Sequence, residues 1–229
     1  MVKMTDPNQP QKYRLRLLFA KKKEIKYISH LDLALAWERA LRRAQIPLAY
    51  SQGFNPRPKM QFASGLPLGT IGSQELLDII VTEPVDLEAA LPRIQAALAV
   101  GIKLHAIRET PVNGPALQPL LRQAEYVVRV ETDLPAAELS ARIEDLLAAE
   151  EVIQIRRRRK KEEKFDLRSS LHRLELVSAD NNEARLTMSL TAGQKGNLRP
   201  EAVLKALGLE NNWAEIERTW LIFADEVGQ

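Results

Sequence analysis

The chain alternates apolar and polar positions in short runs and, between them, repeats apolar residues at helical spacing. Tyr13, Leu15, Leu17 and Phe19 recur every second residue, the period of a strand with one buried face. A Lys-rich turn follows, then a short strand predicted at Ile25 to Ile28. Ser29-His30-Leu31-Asp32 has the form of a helix N-cap: the Ser hydroxyl accepts from a free backbone N–H, and the Asp carboxylate favours the positive helix end. Leu33, Trp37, Ala40, Leu41 and Ala44 then lie on one helical face, and the helix ends before Pro47. Further on, strands are predicted at Lys59 to Ala63, Leu76 to Val81 and Ile102 to Arg108. A helix carrying Leu87, Ala90, Leu91, Ile94, Ala97 and Leu98 lies between the last two. The order is β-α-β-β-α-β.

The same order begins again after a stretch with three prolines and a glycine, Thr110 to Pro119, which reads as a linker. Tyr126, Val128 and Val130 alternate as a strand, and Leu139, Ile143, Leu146 and Leu147 mark a helix. Val152 to Arg157 reads as a strand. Leu174 and Leu176, then Leu186, Met188 and Leu190, mark two more, joined by a turn at Asp180-Asn181-Asn182. Pro200 opens a short helix, and Ile216 to Phe223 closes the chain as a strand. Both halves fit the split βαβ plan, so the expected fold is α+β with two tandem ferredoxin-like halves built on antiparallel sheets. The expected boundaries are a disordered terminus over 1–12, a first domain over 13–109, a linker over 110–121 and a second domain over 122–229.

Composition narrows the classes. The chain has 229 residues, 45% of them hydrophobic, which suffices for packed cores. No apolar run approaches the roughly 20 residues of a membrane span, and the polar start lacks a secretory signal's apolar region. There is no cysteine, which excludes disulfides, thiolate zinc sites and iron–sulfur ligation by this chain. A cytoplasmic location is expected. Phosphate-loop, dinucleotide-binding, zinc-protease and nucleophile-elbow motifs are absent, and His30, His105 and His172 show no ligand spacing. No metal or cofactor of its own is expected.

Charge is uneven. Residues 1–72 hold 13 Lys/Arg against 4 Asp/Glu, whereas residues 73–155 hold 6 against 14. A basic portion of this kind is the usual footprint of a polyanion partner, although a solvated surface is the common alternative. The most informative stretch is Tyr50 to Lys59. Tyr50 or Phe54 can stack a base, Gln52 and Asn55 can hydrogen-bond base edges, and Arg57 and Lys59 can meet phosphates. A packed turn with Phe54 in the core is the structural alternative. Arg14 and Arg16 share the strand face opposite Leu15 and Leu17, which is the open face if helices cover the apolar one. Arg156, Arg157, Arg158 and Arg159 begin a cationic run that reads as a hairpin tip or as a phosphate contact. His30, near Lys26 and Tyr27, can bind a phosphate or serve as a general base, or simply pack at the helix start. Lys195 and Arg199, flanking Gly196, give a weak anion-loop signal.

The segments from Lys26 to Leu33 and from Leu48 to Lys59, Leu66-Pro67-Leu68-Gly69, Phe165-Asp166-Leu167-Arg168 and Arg199-Pro200 together resemble a radical-SAM-associated bacterial family of unknown function. Its members occur alone or as C-terminal extensions of B12-binding radical SAM proteins, often encoded near a ribonuclease of the E/G type. The resemblance covers nearly the whole chain and implies a B12-binding radical SAM protein as partner. In outline the doubled plan is also similar to CRISPR repeat-processing endoribonucleases, with His30 and the loop Gly193 to Gly196 in roughly analogous places; fold alone does not fix function. The leading expectation is an RNA-binding accessory protein, not itself an enzyme, that acts with a radical SAM enzyme in tRNA or rRNA modification or processing. The alternatives are a metal-independent endoribonuclease using His30, and a protein-interaction module for the partner with no nucleic acid.

Overall fold

The computed structural model describes residues 11–158, 161–194 and 196–224, without the side chains of 157, 158 and 161. Apart from Gln11 and Lys12, the expected polar terminus lies outside the described residues. Among the described residues, ten strands form an eight-stranded sheet and a separate two-stranded ladder, with helices between them. The fold is therefore a mixed helix-and-sheet one. The chain divides into two compact units, residues 1–68 with 75–116, and residues 69–74 with 117–229.

The first unit contains β1 (Tyr13–Lys21), α1 (His30–Arg43), β2 (Met60–Phe62), most of β3 (Ile71–Val81), α2 (Leu87–Ala97) and β4 (Ile102–Thr110). Its strands lie in the order β4, β1, β3, β2, with β1 antiparallel to β4 and β2 antiparallel to β3. The alternation of β1 works as expected: Leu15, Leu17 and Phe19 enter a core with Leu33, Trp37 and Leu41 of α1 and Leu77, Ile79 and Val81 of β3. Phe19 meets Trp37 and Phe62 edge to face at centroid distances of 5.0 and 5.9 Å, an arrangement that adds to the burial of three large rings. Helix α1 starts where its cap predicts: Ser29 Oγ accepts from the Asp32 amide, and the Asp32 carboxylate accepts from the Ser29 amide.

Ile25 to Ile28 is a correction. The chain there turns through a 3-10 helix, Lys23–Ile25, with Lys26 N donating to Lys23 O, so no strand forms. Strand β3 also begins earlier than its apolar residues suggest. Its first part, residues 69–74, belongs to the second unit, where Ile71 and Gly72 pair with the final strand of the chain.

The second unit continues with α3 (Leu117–Leu120), β5 (Leu121–Glu131), α4 (Ala136–Ala148), β6 (Ile153–Arg158), β7 (Lys161–Asp166), β8 (Leu171–Asp180), β9 (Glu183–Thr191), α5 (Pro200–Ala206) and β10 (Ala214–Phe223). Strands β10, β5, β9 and β8 form an antiparallel ladder in that order. Among the described residues, strands β6 and β7 pair only with each other, so Val152 to Arg157 does not join the main ladder as one of its strands. With that hairpin set aside, the two units share one strand order: fourth, first, third, second.

Candidate nucleic-acid interface

Between α1 and β2 the chain makes a hairpin whose backbone satisfies itself. Lys59 N donates to Ala49 O at 2.8 Å, and Ser51 N to Arg57 O at 2.8 Å. Ser51 Oγ accepts from Arg57 N at 3.0 Å, and the base is tied to β3 through Ala49 N to Ile80 O and Ile80 N to Lys59 O. Gly53 at φ +130° occupies a backbone region that other residues rarely adopt, and Pro56 and Pro58 remove two amide donors. With the backbone settled, the side chains of Gln52, Phe54, Asn55 and Arg57 stand exposed. Phe54 is the clearest: its relative exposure is 107%, so it is not the core residue of a packed turn. Tyr50 is 39% exposed and pairs through its backbone with Pro58. Among the described residues, Arg57 and Lys59 have side chains with no hydrogen bond or ion pair.

At the hairpin's base a cleft is lined by Arg14, Lys59, Met60, Gln61, Asp78 and Ile80. It brings together two segments, β1 and the hairpin, that sequence reading selected separately. Gln61 and Asp78 were missed. The signal for Gln61 was the alternation of the strand at Lys59 to Ala63, which puts Gln61 on the face of Lys59.

The expectation of an open face fails at Arg16. Its side chain is 6% exposed and forms a two-pronged bond to Asp78, from Nε to Oδ1 at 2.7 Å and from Nη2 to Oδ2 at 2.9 Å. Arg14 is half-buried and partly engaged, its Nη1 donating to Gly114 O at 2.9 Å and Pro115 O at 3.2 Å. The segment 111–115 thus packs against this face at Arg14. Lys26 is also buried, with its Nζ 5.2 Å from the Tyr27 ring centroid. His30 is half-buried, packed edge-on against Phe62 at 4.9 Å, and so sits at the end of β2 away from the hairpin.

Arg156 belongs to the second unit, on β6. Its guanidinium pairs with Glu163 at 2.9 Å and lies 5.4 Å from the Phe165 ring. The side chains of Arg157 and Arg158, and all of Arg159 and Lys195, lie outside the described residues. Gly193 at φ +97° packs so closely that an added Cβ would stand 2.5 Å from Leu121 O, so packing requires the glycine at this position. Among the described residues no group of three or more His, Asp or Glu is placed to hold a metal ion, and no helix is long and apolar enough to cross a membrane.

These features define a mixed α/β protein with a self-supported basic and aromatic hairpin on its first unit. The chain belongs to DUF2344, a family described as uncharacterized protein conserved in bacteria, matched over residues 14–200. The family is associated with bacterial B12-binding radical SAM proteins. No curated protein matches the chain significantly. Among solved structures it is similar to a chain of a Cbf5-Nop10-Gar1 complex, at 13% identity and a TM-score of 0.49 over 89% of this chain and 48% of that one. A chain of an archaeal box H/ACA sRNP Nop10-Cbf5 complex gives 13% identity and 0.45 over 95% and 50%. An unknown protein from Galdieria sulphuraria gives 12% and 0.27 over 91% and 99%. The chain thus spans about half the length of the first two, and likenesses at this level do not bear on function.

Proposed function

We propose that this protein is an RNA-binding accessory factor that works with a radical SAM enzyme in the modification or processing of tRNA or rRNA. The observation that carries the proposal is the hairpin. It presents Phe54 wholly to solvent between Gln52, Asn55 and Arg57, with Lys59 at its base. A burial-driven fold has no use for an outward phenyl ring on a proline-braced loop. A stacking platform with adjacent cations does. The radical SAM partner comes from the family association. The common strand order of the two units supports reading them as tandem ferredoxin-like modules, an architecture that presents a sheet face and connecting loops for binding.

We read the role as binding rather than catalysis, and assign no chemical step to His30, whose ring packs on Phe62. The test is fluorescence anisotropy with single-stranded RNA at several salt concentrations. The double variant Arg57→Ala, Lys59→Ala is expected to bind roughly tenfold or more weakly with its fold intact. Unchanged affinity at low salt would sink the proposal. A second reading, docking to a protein partner with no nucleic acid, is favoured by the exposed Tyr27 (70%) and Leu31 (78%) at the start of α1 and by Leu68 (64%). Co-purification with the radical SAM enzyme, combined with no RNA affinity, would move the assignment there.

A further inference from the structure

The cleft at the hairpin's base holds more positive charge than its lining first suggests. Two cations, Arg14 and Arg16, lie against the single carboxylate of Asp78, and a third, Lys59, lines the same cleft. Both oxygens of that carboxylate are already engaged by Arg16. The pair Arg16–Asp78 is therefore neutral, and Arg14 and Lys59 supply two positive charges in excess. Arg14 is held in place by the carbonyls of Gly114 and Pro115, while its Nε is buried with no hydrogen-bond acceptor among the described residues, 3.8 Å from Asp78 Oδ2. A guanidinium so fixed lends its positive charge to the cleft it lines, while the Nε itself is buried beside Asp78. Lys59 can swing over the same space, and the Gln61 amide adds a neutral donor. Met60 and Ile80 complete the wall with apolar surface, which strengthens the charge interactions beside it.

The charge count selects among phosphates. An internal phosphodiester brings one negative charge, whereas a phosphomonoester carries close to two near neutral pH and offers three acceptor oxygens. The excess of two matches the second. Lys59 is five residues from Phe54, at most about 17 Å of extended chain. A nucleotide stacked on Phe54 and a phosphate in the cleft thus belong to one short strand. We propose that this cleft binds a phosphomonoester, and that on RNA seated along the hairpin it holds the phosphorylated end of the strand. The assignment rests on the RNA-binding reading and adds to it a preference for a chain end. The same chemistry also fits a free phosphate or a nucleoside monophosphate, which the test separates.

The first arm compares one short single-stranded RNA sequence in three forms: 5′-phosphorylated, 3′-phosphorylated, and with hydroxyls at both ends. One phosphorylated form is expected to bind roughly tenfold tighter than the hydroxyl form. The variant Lys59→Ala, Gln61→Ala should erase that preference, and Phe54→Ala should weaken all three forms together while keeping it. Equal binding of the three forms by the native protein overturns the chain-end assignment and leaves RNA binding standing, as does a preference that survives Lys59→Ala, Gln61→Ala. The second arm titrates inorganic phosphate, and adenosine monophosphate against adenosine, into nitrogen-labelled protein. It follows the amide signals of Lys59, Gln61 and Ile80. Shifts that require the phosphate, in a protein with no RNA affinity, establish the cleft with a free phosphate as its ligand and sink the RNA reading alone. No such shifts and no end preference overturn the cleft itself.

Discussion

Asp78→Ala is the substitution whose cost the structure specifies most sharply. Asp78 is 2% exposed and Arg16 6%, and the two meet through parallel bonds of 2.7 and 2.9 Å. Deleting the carboxylate leaves a buried guanidinium without its counter-charge and removes the one that lies 3.8 Å from Arg14. Breaking a buried pair from one side typically costs about 3–5 kcal/mol, a large share of the 5–15 kcal/mol by which a domain is stable. Replacing both partners is a different perturbation. Arg16→Met with Asp78→Leu removes both charges and fills similar volume, an exchange often neutral or stabilising by about 1–4 kcal/mol. The assay is urea unfolding followed by the fluorescence of Trp37, which is fully buried in the first unit, with Trp213 and Trp220 changed to Phe. Asp78→Ala should lower stability by about 3 kcal/mol or more, and the double replacement should recover most of it. A loss under about 1 kcal/mol, or a double replacement as damaging as the single, would refute the assignment of Arg16 as a cation dependent on Asp78.

Phe54→Ala should change stability by no more than about 0.5 kcal/mol, because the ring contributes no burial, yet reduce RNA affinity by about 1–3 kcal/mol; thermal melting and anisotropy measure the two separately. Gly193→Ala should destabilise the second unit by more than about 1 kcal/mol, since the position combines φ +97° with 2.5 Å from the new Cβ to Leu121 O; an unchanged melting temperature would contradict that geometry. Asp166 has its pKa held below the ordinary carboxylate value by the Val152 amide, with Ser169 and Arg168 adding to the effect. A lowered folded pKa gives stability that is present above the unfolded value and lost as pH falls through the folded one. Asp166→Asn should therefore flatten the acid limb of the stability-against-pH curve, and an acid limb of native steepness would count against this account.

The elements that sequence made legible are those whose pattern is local. Strand β1, the Ser29–Asp32 cap and the buried face of α1 each follow from spacing within a dozen residues, and the structure contains all three. Strand β7 was hidden because Lys161-Glu162-Glu163-Lys164 shows no apolar alternation; it forms through pairing with β6, helped by Arg156–Glu163. The start of β3 was hidden for the same reason: Gly72, Ser73, Gln74 and Glu75 gain their strand from long-range partners such as Glu217, which accepts from Ser73. In the candidate site, the hairpin's chemistry could be read, but its exposure could not. Whether Phe54 points inward depends on packing that composition does not encode. Arg16 was placed on the correct strand face, but its burial goes with its pairing to Asp78, 62 residues away, which no local pattern encodes.

This division between cations that hold the fold and cations that face solvent sets a measurable limit on RNA binding. The first 72 residues carry 13 Lys/Arg against 4 acids, and a reading from charge alone would offer all nine excess charges to a polyanion. The structure withdraws several of them: Arg16 is locked to Asp78, Lys21 donates to the carbonyls of Lys26 and Ile28, and Lys26 is buried. At the hairpin and its cleft, the exposed Arg57 and Lys59 and the partly engaged Arg14 of the cleft wall are left to meet phosphates. For single strands each neutralised phosphate contributes about −0.7 to the slope of log affinity against log salt, so three contacts predict a slope near −2. Nine contacts would give about −6. A slope near −2 that falls to about −0.7 in the Arg57→Ala, Lys59→Ala variant would place the interface where the hairpin is. A steep slope insensitive to that change would place it elsewhere on the basic surface, and the hairpin would lose its assignment.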